Sequence, residues 1–336
     1  MSDHPQESDQ PLVTVVMPTL NRPGYLKEAL GSAVRQLYRN LEILVRDNAS
    51  DPATGEVVRS FKDERIQYLR HPENIGMTAN VAGGFRAAKG KYVTNLHDDD
   101  FWGPEFLQKM VAVLESNPEV VVAFSDHYIV NQAGEIDQRA TDKNTEFFGR
   151  ASLSPGHHKP FKELALIQMS VPMAMASVLR RDSIDWDDFP NLICAYDYWL
   201  MYLACRDGGA CYYVPERLTS YRVHAASVST LGRVTLNKGF IEIYERILRD
   251  ERISEFQDVF RKRLRIQHTE AGIALLRRGD RAAARTMLAS SMRHGFDLRA
   301  PLAYAASYLP GAIARHLPGR LRLFQTPASP AMTSRS

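Results

Sequence analysis

Disulfides, membrane spans and dinucleotide fingerprints are missing from this chain, and each absence removes a class of protein. There are three cysteines, Cys194, Cys205 and Cys211, and no two are spaced as a CxxC pair. An odd count without that spacing excludes a disulfide-stapled fold and a cysteine zinc site, and fits a reducing compartment where all three serve as core residues. No apolar run approaches the roughly 18 residues that a membrane helix needs. The opening residues, MSDHPQESDQ, are polar and acidic where a secretory leader has a basic flank and an apolar stretch. Residues 1–10 are therefore expected to be flexible and the protein cytoplasmic. The first strand-to-helix turn lacks GxGxxG, and Ala82-Gly83-Gly84-Phe85 lies inside a helical pattern, which argues against a nicotinamide enzyme. Lysine is absent from Arg281 onward, where eight arginines face one acid, Asp297; the formal net charge of +3 thus belongs to the tail. Those arginines are not interleaved with stacking aromatics on a strand platform, so no nucleic-acid partner is expected.

What is present is an ordinary balance for a globular chain: 336 residues, 44% hydrophobic and 24% charged, enough for one large domain or a domain with an appendage. Short β-branched runs, Val13 to Met17, Leu41 to Val45, Ile66 to Leu69, Tyr92 to Leu96 and Val120 to Phe124, alternate with segments of helical spacing. That alternation predicts an α/β fold, a Rossmann-like, doubly wound, mostly parallel sheet. After Ser125 the rhythm changes. A hairpin turn is expected at 131–134, a lid-like loop at 141–159, helices at 161–169 and 196–204, and extended pieces at 175–180, 210–214 and 218–223. From about 235 to 278 the pattern is helical, and Arg278-Gly279-Asp280 reads as the turn of a helical hairpin. The expected division is a catalytic domain at 11–230, with a nucleotide-binding half at 11–125 and an acceptor half at 126–230. A C-terminal α-helical extension at 231–326 and a disordered tail at 327–336 follow.

The chemistry concentrates at strand ends. The run Tyr92 to Leu96 stops at His97-Asp98-Asp99-Asp100, and ligands of open α/β sheets bind at the carboxyl ends of strands. Three adjacent acids need a cation or solvent to balance them, which makes this a hard-cation candidate for Mg2+ or Mn2+; a solvated turn is the plain alternative. Pro18, Thr19, Leu20, Asn21 and Arg22 follow the first strand where they can edge a nucleotide. Asp47 ends the second, where an acid can accept the imide N–H of a uracil or thymine, or simply form a turn with Asn48 and Ser50. Asn74 and Asn80 place amides near a helix start suited to a diphosphate or ribose. Asp197 lies among Tyr196, Tyr198 and Trp199, an environment that raises a carboxyl toward the range of a general base. Arg222 and His224 follow a strand, and His224 is a candidate metal ligand or phosphate contact.

The ordered blocks VVMPTLNR, ILVRDNASD, NIGMTANVAGGFRAAKGKYV leading into LHDDD, AYDYWL and VPERLTSYRVHAASVS resemble the family 2 glycosyltransferases of the GT-A fold, over roughly residues 12 to 230. The resemblance implies transfer of a sugar from a nucleotide-diphosphate donor with inversion. It places Asp47 on the base, Asp98 on the ribose or sugar, Asp99 on the metal and Asp197 as catalytic base. Two positions depart from the family pattern. His97 stands where many members have the first acid of a DxD motif, and Tyr196 where many have the Glu of a Glu-Asp pair.

Donor and acceptor sugars are expected near Asp100, Trp102, Asp126, Trp199 and Arg222. The acceptor class is a glycan, a lipid-linked sugar or another glycoconjugate, as in polysaccharide or cell-envelope synthesis. The mixed arginine and apolar residues after Arg299 suit either peripheral contact with the inner face of the cytoplasmic membrane or packing on the catalytic domain. A homodimer stays open. The rival from another class is a catalytically dead nucleotide-sugar binder, told apart by whether Asp99 and Asp197 face one pocket.

Overall fold

The computed structural model describes residues 10–224 and 233–309. Its contacts divide the chain into two units, one of residues 1–191 with 196–224 and one of residues 192–195 with 225–336. The first contains β1 (Val13–Thr19), α1 (Pro23–Val34), β2 (Leu41–Asp47), α2 (Pro52–Ser60), β3 (Ile66–Arg70), α3 (Met77–Ala87), β4 (Tyr92–Asn95), β5 (Phe101–Trp102) and α4 (Phe106–Ser116). It continues with β6 (Val120–Val130), α5 (Gln138–Phe147), β7 (Gly156–His158), β8 (Ser177–Arg180), α6 (Tyr196–Cys205) and β9 (Ala210–Arg222).

The strands join in one sheet of order β3-β2-β1-β4-β8-β6-β9-β5, with β7 on β9. β3, β2, β1 and β4 are parallel, as are β6 and β9, while β8 runs antiparallel to both of its neighbours. The result is the mostly parallel sheet expected, with one reversed strand at its centre. All seven residues of β1 are buried, and Val13, Val15 and Met17 pack against α1 and α4. Burying each such side chain contributes about 1.5–3 kcal/mol. On the opposite face α3 lies so close to β1 that a Cβ on Gly84 would stand 2.4 Å from Val16. The glycine pair of α3 thus serves helix–sheet packing. From β1 the chain moves outward to β2 and β3 on one side and returns to β4 on the other, so strand order reverses between β1 and β4 and leaves a crevice at their carboxyl ends.

Four expectations change. The stretch expected to be a loop from Thr141 opens as α5, because Asp137 caps it by accepting the Ala140 N–H at 2.9 Å and its buried face is made of Thr141 and Thr145. A polar buried face carries no hydrophobic periodicity. The helix expected at 161–169 is a five-residue π-helical segment, Glu163–Ile167. The two extended pieces around Pro215 are one strand, β9, whose register with β6 shifts between Ser125 and Asp126, at a bulge that tolerates proline. β6 itself runs six residues beyond Phe124, through Ser125, Asp126 and His127, all buried, with Asp126 paired to Arg150.

The second unit holds α7 (Arg233–Ile247), α8 (Gln257–Arg278), α9 (Arg281–Arg293) and α10 (Arg299–Ala306). The predicted hairpin turn lies between α8 and α9, with Gly279 left-handed at φ 88° and Asp280 accepting the Ala283 N–H. α10 buries Ala300, Ala303 and Ala306. Among the described residues no helix is long and apolar enough to cross a membrane. The expectations for residues 1–9, for the AASVS end of the last family-like block, and for the tail from residue 310, including Arg315, Arg320, Arg322 and residues 327–336, lie outside the described residues.

Candidate active site

The crevice between β1 and β4 is built by main-chain geometry before any acid enters it. Leu96 N–H donates to Val16 O at 3.0 Å and Asn48 N–H to Thr19 O at 3.0 Å, tying together the loops that follow β1, β2 and β4. Asn21 and Ala49 take left-handed backbone angles, φ 54° and 68°, which cost energy in residues other than glycine and are held by the bonds of Asn21 N–H to Ser50 Oγ and of Asp51 N–H to Asn21 Oδ1.

The three acids then take distinct places. Asp98 Oδ2 accepts the Thr19 hydroxyl at 2.8 Å and the Leu20 N–H at 3.4 Å. Arg22, expected to approach a diphosphate, lies between Asp98 Oδ1 at 3.3 Å and Asp99 Oδ2 at 2.8 Å. Asp99 Oδ2 also meets His224 Nε2 at 3.0 Å, so the two residues expected at the metal stand together. Asp100 Oδ1 accepts the Arg222 N–H at 2.9 Å, but its Oδ2 is buried without a hydrogen-bond partner. Arg222 braces the segment further, donating to Asp99 O at 2.8 Å and to Gln132 O at 2.9 Å and pairing with Glu28.

His97 faces this orphaned oxygen, with Nδ1 3.7 Å from Asp100 Oδ2, while its Nε2 is hydrogen-bonded to the hydroxyl of Tyr196. Asn95 Nδ2 donates to the same hydroxyl at 2.7 Å. The two positions that depart from the family pattern are thus direct partners. Ligand atoms of His97, Asp99 and Asp100 lie within 4.8 Å of one another. One nitrogen and two carboxylates around a buried, unsatisfied oxygen fit a divalent cation.

The electrostatics separate the acids. Burial, with the negative Asp99 beside it, pushes Asp98 up to about 6 in spite of Arg22. Burial also raises Asp100 well above the carboxylate range, reinforced by Asp99. Burial acts against the charge of Asp99 too, but His97, the bond from His224 and Arg22 outweigh it and hold this carboxyl below its ordinary value. Asp99 is therefore the standing anion of the group. Asp197, in the first turn of α6, is raised by burial, with His97 pulling the other way. Burial lowers His97, while the negative charges of Asp99 and Asp197 act in the other direction.

Other nominated residues serve the frame. Asp47 has no exposed surface; its oxygens accept the Ser50 N–H at 2.8 Å and the Tyr68 hydroxyl, so contact with a base requires one of these bonds to open. Asn74 joins the loops, accepting from Asn48 Nδ2 at 2.7 Å, and Asn80 is buried between Arg46 O and His71. Pro18 stays within β1. Three residues expected in a sugar pocket have internal partners. Trp102 is a core side chain donating to Met175 O, and Trp199 is buried and donates to Asp188 O. Asp126 pairs with Arg150 at 2.9 Å and Thr145 at 2.7 Å, beside a hollow of about 440 Å³ that also includes Tyr128 and Arg217. A second hollow, about 590 Å³, is bounded by Arg35, Arg39, Arg65 and Trp102; neither includes Asp98, Asp99 or Asp100.

Comparison with known proteins shows the family and the fold. A family model described as Glycosyl transferase family 2 matches residues 14–185. An uncharacterized glycosyltransferase of Methanocaldococcus jannaschii is 29% identical over 202 residues, covering 59% of this chain and 67% of its own. One of Rickettsia prowazekii is 27% identical over 227 residues, covering 65% and 66%. The matches thus span about two thirds of these relatives. Among solved structures, S. aureus TarS in complex with UDP-GlcNAc superposes with a TM-score of 0.64 at 16% identity, over 93% of this chain and 92% of that one. A mannosyltransferase from Pyrobaculum calidifontis in complex with GDP-Man and Mn2+ superposes at 0.54 and 17% identity, over 95% and 87%. At these identities the likeness shows the fold, that of the GT-A glycosyltransferases.

Proposed function

The chain belongs to glycosyl transferase family 2, and from that premise we propose that it transfers a sugar, with inversion at the anomeric carbon, from a nucleoside diphosphate to a hydroxyl of a glycan, lipid-linked or other glycoconjugate acceptor. The observation that carries the reading is the cluster of His97, Asp99 and Asp100, whose ligand atoms lie within 4.8 Å of one another, in a chain of this family that also holds a burial-raised carboxyl, Asp197, in the first turn of α6.

In this reading His97, Asp99 and Asp100 hold Mn2+ or Mg2+, with His224 on the same Asp99 oxygen. The cation supplies positive charge to the departing nucleoside diphosphate. Asp98, with Thr19 and Leu20 on its carboxylate, meets the ribose or sugar, while Pro18, Asn21, Asn74 and Asn80 hold the shape of the nucleotide loops. Arg22 keeps Asp98 and Asp99 compatible as neighbours and lies where a diphosphate enters. Asp197 removes the proton from the acceptor hydroxyl, a task for which a raised carboxyl is better matched than an ordinary one. Catalysis resides in residues 11–230, with the donor half before residue 126. The donor base is expected to be uracil or thymine. One solved relative holds UDP-GlcNAc and another GDP-Man, so the fold accommodates either base class.

The test is calorimetry of uridine, thymidine and guanosine diphosphate sugars with Mn2+, with Mg2+ and with chelator, followed by NMR of the product's anomeric centre. We expect cation-dependent binding of a pyrimidine donor and an inverted product. Equal binding in chelator removes the cation reading, and a retained configuration removes the inverting one.

A further inference from the structure

A helix apolar on every side is normally buried, yet α10 buries one face and leaves another bare. Ala300, Ala303 and Ala306 face inward, while Leu298 (51% exposed), Leu302 (44%), Ala305 and Leu309 follow one another at helical spacing on the outward side. At the corner between α9 and α10, Phe296 is 78% exposed, and Met292 is exposed on the last turn of α9. An apolar stripe of this kind marks a surface that something covers.

Its charge surroundings identify the occupant. Arg265 reaches the corner to donate to Phe296 O at 2.8 Å, and Arg293 is exposed beside Met292. At the other end Arg281 donates to Leu309 O and the Arg285 guanidinium lies 4.9 Å from the Tyr308 ring. The nearby acids Asp297 and Glu270 are both paired with Arg299, at 2.8 Å each. An apolar stripe rimmed by Arg265, Arg281, Arg285 and Arg293 is complementary to a bilayer carrying anionic headgroups.

We propose that the outer face of α10 and the α9–α10 corner form a docking surface for an anionic phospholipid membrane. The inference is independent of the transfer chemistry, because its test uses no donor and its failure leaves the transferase reading untouched. The full chain is sedimented with vesicles of phosphatidylcholine, with and without phosphatidylglycerol, at low and high salt. Binding is expected only with phosphatidylglycerol and should fall with salt. The triple variant Phe296→Ser, Leu298→Ser, Leu302→Ser, checked for native melting, should bind on the order of tenfold or more weakly. Arg281→Ser with Arg285→Ser and Arg293→Ser should lose the salt dependence. Equal binding to neutral vesicles, or undiminished binding by a folded triple-serine variant, overturns the proposal. So does a dimer that this variant dissociates without vesicle binding, which would make a second copy of the chain the occupant.

Discussion

Asp98→Asn is the substitution whose consequence follows most directly from the structure. The carboxyl is buried, accepts from Thr19 and Leu20, and is still pushed up to about 6 because burial and Asp99 outweigh Arg22. The folded state therefore holds this proton more tightly than the unfolded chain, in which the group titrates at its ordinary 3.8. Stability from this group is fully present below about pH 4 and is lost as pH rises through about 6. A difference of roughly two units corresponds to about 3 kcal/mol of destabilisation at pH 8. Asparagine carries no charge to penalise and loses about 1 kcal/mol through a weaker bond to Thr19. The variant should thus be only about 0.5 kcal/mol more stable than the parent at pH 5 and about 2 kcal/mol more stable at pH 8, a rise of several degrees in Tm. Thermal unfolding of both proteins in chelator across that window measures it. Two melting profiles that run parallel from pH 5 to pH 8 would refute the burial argument for Asp98. Donor affinity should fall in the same variant, so that stability and function move in opposite directions, as expected of a strained binding residue.

Asp197→Asn should lower kcat by about 10² to 10⁴ with little change in donor affinity, because it removes a base while the cation cluster stays intact. A near-native kcat, measured by single-turnover assay, would remove Asp197 from that role. Asp47→Asn disturbs the acceptors of the Ser50 N–H and the Tyr68 hydroxyl, so it should cost about 1–3 kcal/mol of stability and weaken uridine and thymidine diphosphates more than guanosine diphosphate. An equal loss of uridine and guanosine diphosphates would mean that Asp47 only holds the loop and does not read the base.

The sequence carried the frame well because the frame is repetitive. Strands such as Val13 to Met17 are buried on both faces and read as continuous β-branched runs, and α1 and α4 show their apolar stripe at helical spacing. Prediction failed where burial is polar. α5 buries threonines, and the second half of β6 buries Asp126 through Arg150 and Thr145. Such segments have the composition of loops, and only their tertiary partners make them regular. The sugar-pocket nominations of Trp102 and Trp199 show the converse: proximity in sequence to the acids said nothing about direction, and both indoles donate inward to backbone carbonyls.

The relation between His97 and Tyr196 was beyond any linear reading, since 99 positions separate them and each was legible only as a departure from a pattern. In space each accounts for the other. An acid at position 97 would add a fourth carboxyl to a group in which Asp98 and Asp100 already titrate high from burial and mutual repulsion. An imidazole lowers that load, sets Nδ1 3.7 Å from the orphaned Asp100 oxygen, and leaves its far nitrogen for a partner on α6. Tyr196 provides one, next to Asp197, and through Asn95 it connects α6 to the end of β4. Replacing Tyr196 alone would leave His97 Nε2 unpaired, which costs about 1–3 kcal/mol, whereas replacing His97 leaves the Tyr196 hydroxyl its bond from Asn95 Nδ2.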